Sequence, residues 1–134
     1  PGAPPRPAAE LGVHSSSTGF DFSRSARFGH VGEAFVAQFG DMAPAVGKVL
    51  SPVGFKLVRV DPASGVVHDF ATNRKQSGPA SAQEGGGLER PVAARFDPSG
   101  EALYVVDYGV LALGDAGPSV RKNSGVLWRI THTQ

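Results

Sequence analysis

Arg90-Pro-Val-Ala-Ala-Arg-Phe-Asp-Pro-Ser-Gly-Glu-Ala-Leu-Tyr-Val-Val-Asp-Tyr-Gly109 decides the fold. It reads as two antiparallel strands joined by a tight turn. Val92, Ala94 and Phe96 alternate with Ala93 and Arg95, the period of a strand with one buried face. Asp97-Pro-Ser-Gly100 breaks the run: proline presets the turn dihedral, Asp97 can bond the backbone beyond it, and Gly100 tolerates a positive φ. Leu103 to Val106 is a continuous β-branched and aromatic run, which predicts a strand buried on both faces.

Working outward, the same pattern occurs earlier. Residues 54 to 60, Gly-Phe-Lys-Leu-Val-Arg-Val, alternate cleanly. Asp61-Pro-Ala-Ser-Gly65 repeats the turn chemistry of residues 97 to 100 with one residue inserted, and Val66 to Phe70 is the return strand of that hairpin. Upstream, Gly19 to Phe22 predicts a short strand and Glu33 to Phe39 a buried one. Downstream, Gly125 to Thr131 predicts the final strand, with Trp128 as its largest buried group. Residues 41 to 53 (carrying Asp41 and Lys48), 72 to 90 and 110 to 124 read as loops.

The halves superpose. Residues 20–22, 34–39 and 55–60 form one series; 92–96, 103–106 and 126–130 form the other. Gly54-Phe-Lys-Leu-Val-Arg-Val60 aligns with Gly125-Val-Leu-Trp-Arg-Ile130, with one residue of slack. Repeated four-stranded antiparallel units are the signature of a β-propeller. The expected fold is therefore all-β: two consecutive four-stranded blades of a six-bladed β-propeller, the last lacking its outer strand. Residues 1–11 form a Pro-rich linker, with blade one at about 12–72 and blade two at about 88–134. An ordinary seven-stranded antiparallel sheet or sandwich is the alternative. Two blades cannot close a ring, so an isolated pair should expose hydrophobic faces. Other copies could complete the ring.

Composition narrows the function classes. The chain has 134 residues and 40% hydrophobic content, enough for one core. Thirteen Lys and Arg against 12 Asp and Glu give a net charge of +1, and no basic run interleaves with aromatics, so nothing argues for nucleic acid. The absence of cysteine removes disulfides, thiol nucleophiles and thiolate metal sites. No apolar run approaches the ~20 residues of a membrane helix, and no signal peptide is legible. The chain opens on Pro1 and its sole methionine is Met42, so it is expected to be a processed product or a piece of a longer chain.

His14-Ser-Ser-Ser-Thr-Gly-Phe-Asp-Phe22, Gly32-Glu-Ala-Phe-Val-Ala-Gln-Phe-Gly40, Gly54 to Val60, and Arg90 to Gly100 followed by Leu103-Tyr-Val-Val-Asp107 occur in this order. The series resembles the C-terminal part of the glucose/sorbosone dehydrogenase family, over nearly the whole chain after residue 11. The resemblance implies a six-bladed propeller that uses pyrroloquinoline quinone (PQQ) and calcium to oxidise an aldose or sugar aldehyde. It also implies export to the periplasm or beyond, and the parent's remaining blades as partners. The segment alone should be inactive, because the family's general base and calcium ligands lie in earlier blades. In the family an Arg-x-Arg pair touches the cofactor. Arg90 matches its first member and Val92 stands where the second would be; Gly40 stands where a cofactor-contacting lysine would follow the preceding blade's second strand.

Blade geometry selects residues independently. An inner strand starts, and the second strand ends, on the same side, because they run antiparallel. His14, Arg90, Gln38, Asp41 and Asp107 should therefore face one mouth of the channel, together with the loops 41–53 and 108–124. His14 is a candidate general base or metal ligand at a cofactor site, or a histidine that bonds loop backbone. Arg90 is a candidate carboxylate clamp, or the ion-pair partner of a neighbouring acid. Asp107 is a candidate ligand for calcium or a sugar hydroxyl, or a cap for backbone amides. His68 and His132 should be solvated. Gly85-Gly-Gly87 lacks the Lys-Ser/Thr of a phosphate loop. The other function class is a non-catalytic propeller that binds carbohydrate or protein.

Overall fold

The computed structural model describes residues 2–43, 50–74 and 78–133; Lys48 lies outside them. The chain is all-β, with nine strands and one 3-10 turn at Ala80–Ala82 among the described residues. β1 (Ser17–Phe22), β2 (Ala34–Gln38), β3 (Lys56–Val60) and β4 (Val67–Ala71) form a four-stranded sheet in sequence order. β5 (Pro91–Phe96), β6 (Ala102–Asp107) and β9 (Val126–Thr131) form a three-stranded sheet, and β7 (Leu111–Gly114) and β8 (Gly117–Val120) a separate hairpin. Every pairing is antiparallel.

The two aspartate–proline turns form alike. The Asp97 carboxylate accepts from the N–H of Glu101 at 3.0 Å, and Gly100 takes φ 73°. The Asp61 carboxylate accepts from the N–H of Ala63 at 2.9 Å, and Gly65 takes φ 74°. Each carboxylate satisfies backbone donors that a two-stranded turn leaves open.

The sheets pack face to face over one aromatic-rich core. Phe35, Ala37 and Leu57 of the first sheet meet Ala94, Phe96, Leu103 and Val105 of the second, with Phe28 and Leu88 closing the ends. Phe35 touches Phe28, Phe70 and Phe96 in edge-on contacts with centroids 5.5, 4.7 and 5.4 Å away. The sheets approach most closely along β1 and β5. A Cβ on Gly19 would lie 2.7 Å from the Ala93 Cα, so only glycine permits the approach. Thr18 Oγ1 donates to the Val92 carbonyl at 2.9 Å, and Arg95 donates to the Phe20 carbonyl. Toward β4 and β9 the packing opens into clefts of about 200 Å³, beside Phe70 and Ile130, and about 150 Å³, beside Ala71 and Trp128. The pair is a wedge, tight at its first strands and open at its last.

Three expectations change. Trp128 and Ile130 are the two residues of β9 that turn toward the core, but Trp128 is only partly buried, because β9 is the rim of its sheet and faces the open side of the wedge. The Leu103–Val106 run is buried on one face only: Leu103 and Val105 point into the core, whereas Val106 is exposed and Tyr104 half-buried, because no other sheet among the described residues covers the far side. The loop 110–124 holds the β7–β8 hairpin, which Gly114, Gly117 and Pro118 had disguised. His68 and His132 are exposed, as read from the sequence.

Asp21 links the sheets electrostatically. Its Oδ2 accepts from the Phe96 N–H at 2.9 Å, and its Oδ1 from the Phe22 N–H at 2.8 Å and from Arg24 at 3.2 Å. Burial raises its pKa, but these donors together outweigh burial and hold the carboxyl below the ordinary aspartate value. A depressed folded-state pKa stabilises the fold above the unfolded value of about 3.9 and is lost as pH falls through the lower folded value. Acid unfolding curves should therefore be shallower for Asp21→Asn than for the parent below about pH 4. Parallel curves would refute this role for Asp21.

Candidate functional site

One end of the wedge gathers the polar groups singled out in the sequence. Arg90 immediately precedes β5, Asp107 ends β6, and Phe39-Gly40-Asp41 follows β2. Antiparallel pairing brings these three termini to one side. The Asp107 carboxylate accepts from the N–H of Glu89 at 2.7 Å, of Arg90 at 2.8 Å and of Gly109 at 3.0 Å, and from the Trp128 indole at 3.4 Å. Pro91 and Asp107 are register partners, so this carboxylate stands where the β5–β6 ladder runs out of carbonyls.

Arg90 is 4% exposed. Its Nη1 donates to the Asp41 carbonyl at 3.0 Å and lies 3.5 Å from that of Phe39. Its guanidinium carbon sits 4.8 Å from the Phe39 ring and 4.9 Å from the Phe55 ring, so the cation is held between two aromatic faces. Burial pulls its pKa down, while the Glu89 and Asp41 carboxylates act the other way. Among the described residues Arg90 forms no ion pair, and its buried Nε has no hydrogen-bond partner.

The backbone is shaped around this sandwich. Phe55 takes φ 57°, a conformation costing a bulky residue about 1–3 kcal/mol unless its surroundings impose it. Gly40, at φ 97°, makes that placement possible: a Cβ there would stand 2.6 Å from the Phe55 ring. Asp41 closes the adjoining loop. Its N–H donates to the Val53 carbonyl at 2.9 Å, and its carboxylate accepts from the Val53 N–H at 2.8 Å and the Ala43 N–H at 3.1 Å.

Gln38 is buried and donates to Ser17 Oγ at 3.3 Å. His14 stands in an exposed turn at φ 62°, and among the described residues no hydrogen bond or ion pair ties it to Arg90 or Asp107. Arg90, Asp41 and Asp107 therefore form one connected group, while Gln38 and His14 remain outside it. Sequence reasoning missed Phe39, Phe55 and Tyr108, whose ring lies 5.9 Å from that of Phe39 and is 44% exposed. The mirrored pairs Phe39-Gly40 and Gly54-Phe55 were the available signal.

Chemically, Asp107 already receives three amide protons, and a cation seated on it would have to displace them. No grouping of three His, Asp or Glu side chains able to hold a metal occurs among the described residues. No family model, curated protein or solved structure matches this chain significantly.

Proposed function

We propose that this chain is a two-blade segment of a β-propeller of the glucose/sorbosone dehydrogenase type, in a protein that oxidises an aldose or sugar aldehyde with PQQ. Its Arg90–Asp107 end would form part of the cofactor-side wall. The observation that carries the reading is the repetition of strand order and register: β1-β2-β3 and β5-β6-β9 have the same order. Both first strands also slip register against the second at their N-terminal end, between Ser17 and Phe20 and between Pro91 and Ala93. The wedge shape supports it further, since neighbouring blades touch at their inner strands and diverge outward.

The donor set on this chain does not by itself fit an anionic quinone. Arg90 is enclosed, with its Nε unpartnered; Asp107 is saturated by backbone donors; and His14 stands apart. PQQ supplies redox chemistry only when several blades set its carbonyl beside a base. The chain's own contribution is to fix the wall that carries Tyr108 and the Arg90 sandwich. A second reading, a non-catalytic propeller that binds carbohydrate, is favoured by Tyr108, an exposed aromatic beside an enclosed and chemically committed arginine.

Trp128 is the only tryptophan and touches Asp107, so its fluorescence reports on this end. Because Asp107 is committed to backbone amides and Arg90 is enclosed, titration of the isolated chain with PQQ and calcium should give no saturable quench. A dye-linked assay with glucose should give no turnover. A saturable quench by a sugar without PQQ would favour the carbohydrate-binding reading, and turnover by the chain alone would refute the inactive-segment reading.

A further inference from the structure

The contact between the two sheets can be laid over the two faces that it leaves uncovered. On the first sheet, the residues facing the second are paired across β2 and β3 as Ala37 with Leu57 and Phe35 with Arg59. On the uncovered side of the second sheet, β6 and β9 pair Val106 with Leu127 and Tyr104 with Arg129. The types and register agree: an aliphatic pair next to an aromatic–arginine pair. Leu57 is fully buried in the interface, whereas its counterpart Leu127 is 63% exposed.

The opposite faces correspond as well. The second sheet meets the first with Phe96 opposite Leu103 and Ala94 opposite Val105. On the uncovered side of the first sheet, Phe22 stands opposite Ala34 and Phe20 opposite Val36. Ala34 and Val36 belong to a second apolar cluster, with Val58 and Val60, that Ala9 and Leu11 only partly cover. Phe20 remains 49% exposed beside an apolar cleft of about 350 Å³.

The geometry points to head-to-tail docking of this chain on a second copy: the Val106–Leu127 face of one seats the Phe20–Phe22 face of the next. This inference rests on the two-blade reading, because it treats the internal contact as the pattern for the external one. The two mating surfaces differ, so the contact is heterologous. Repetition either closes a ring or runs on as a filament; the divergence of the two sheets toward β4 and β9 curves successive copies in one sense, as in the closed ring of a propeller. The N-terminal segment at Ala9 and Leu11 lies on the receiving face and would be pushed aside or shared.

Sedimentation equilibrium on the intact chain tests this. The average mass of the parent should rise with concentration. Leu127→Arg blocks one face and Phe20→Arg the other; both positions are exposed, so each variant should keep the parent's near-ultraviolet dichroism and stay monomeric. An equal mixture of the two retains one good face of each kind and should form a dimer and nothing larger. A parent that stays monomeric at every concentration would overturn the docking. So would a mixture that fails to pair while the parent assembles, because that marks an unspecific patch. Hydrogen exchange at the Phe96 amide, bonded across the seam to Asp21, separates the two failures. A protected amide in a monomeric parent ends the docking alone, whereas an amide that exchanges freely in the parent monomer ends the two-blade reading beneath it.

Discussion

Phe35→Ala is expected to lower the unfolding free energy by about 3–5 kcal/mol, the range for emptying an aromatic site in a close-packed core. Phe35 is fully enclosed and meets three other phenylalanine rings. Each edge-on contact adds about 0.5–1.5 kcal/mol to simple burial, and the surrounding strands are too tied by their ladders to collapse into the space. Domains of this size are held by only about 5–15 kcal/mol, so the substitution removes a large share of the total stability. Urea unfolding followed by Trp128 fluorescence would record a lower midpoint at unchanged slope. Leu127→Ala is the matched control: its side chain faces solvent in the single chain, and the change should stay within about 0.5 kcal/mol. A Phe35→Ala midpoint close to the parent's would mean that the sheets do not share this core.

The sequence made local features legible and left relational ones hidden. The turns at Asp61 and Asp97 were readable because their chemistry closes within five residues. The strand order of the two larger sheets was readable because alternation and turn residues mark each strand separately. The burial of Trp128 was not, because it depends on what covers β9, and the number of strands beyond a rim is not written in the rim strand itself. Val106 was misjudged for the same reason: an apolar run predicts that a face can be buried, not that a neighbour is present to bury it. The β7–β8 hairpin was hidden by Gly114, Gly117 and Pro118, residues that depress strand propensity but are tolerated in a mostly exposed two-stranded ribbon. At the candidate site, antiparallel topology placed Arg90, Asp41 and Asp107 at one end. The rings that enclose Arg90 come from residues 39 and 55; the glycine beside each marks a local backbone turn, but neither pair says that both rings close on the same cation.

Asp107→Ala is expected to destabilise the protein by about 3 kcal/mol or more, because it strands the amides of Glu89, Arg90 and Gly109 together. Each buried donor left without a partner costs about 1–3 kcal/mol, and the carboxylate that now serves all three is itself buried. Loss of that staple frees the residue that leads into β5, and with it the lever that holds the Arg90 guanidinium between Phe39 and Phe55. Asp107→Asn keeps the shape and one carbonyl acceptor but turns an N–H toward another N–H, so its cost should be intermediate. The two substitutions together separate architecture from ligand binding. If Asp107 serves only the backbone, stability should fall in the order parent, Asn, Ala, and amide exchange at residues 89, 90 and 109 should quicken in the same order. If the carboxylate also meets a ligand, the Asn variant should lose more affinity for PQQ or sugar than its modest loss of stability accounts for. An alanine variant as stable as the parent would mean that water satisfies those amides, and that Asp107 is free for a role at the site.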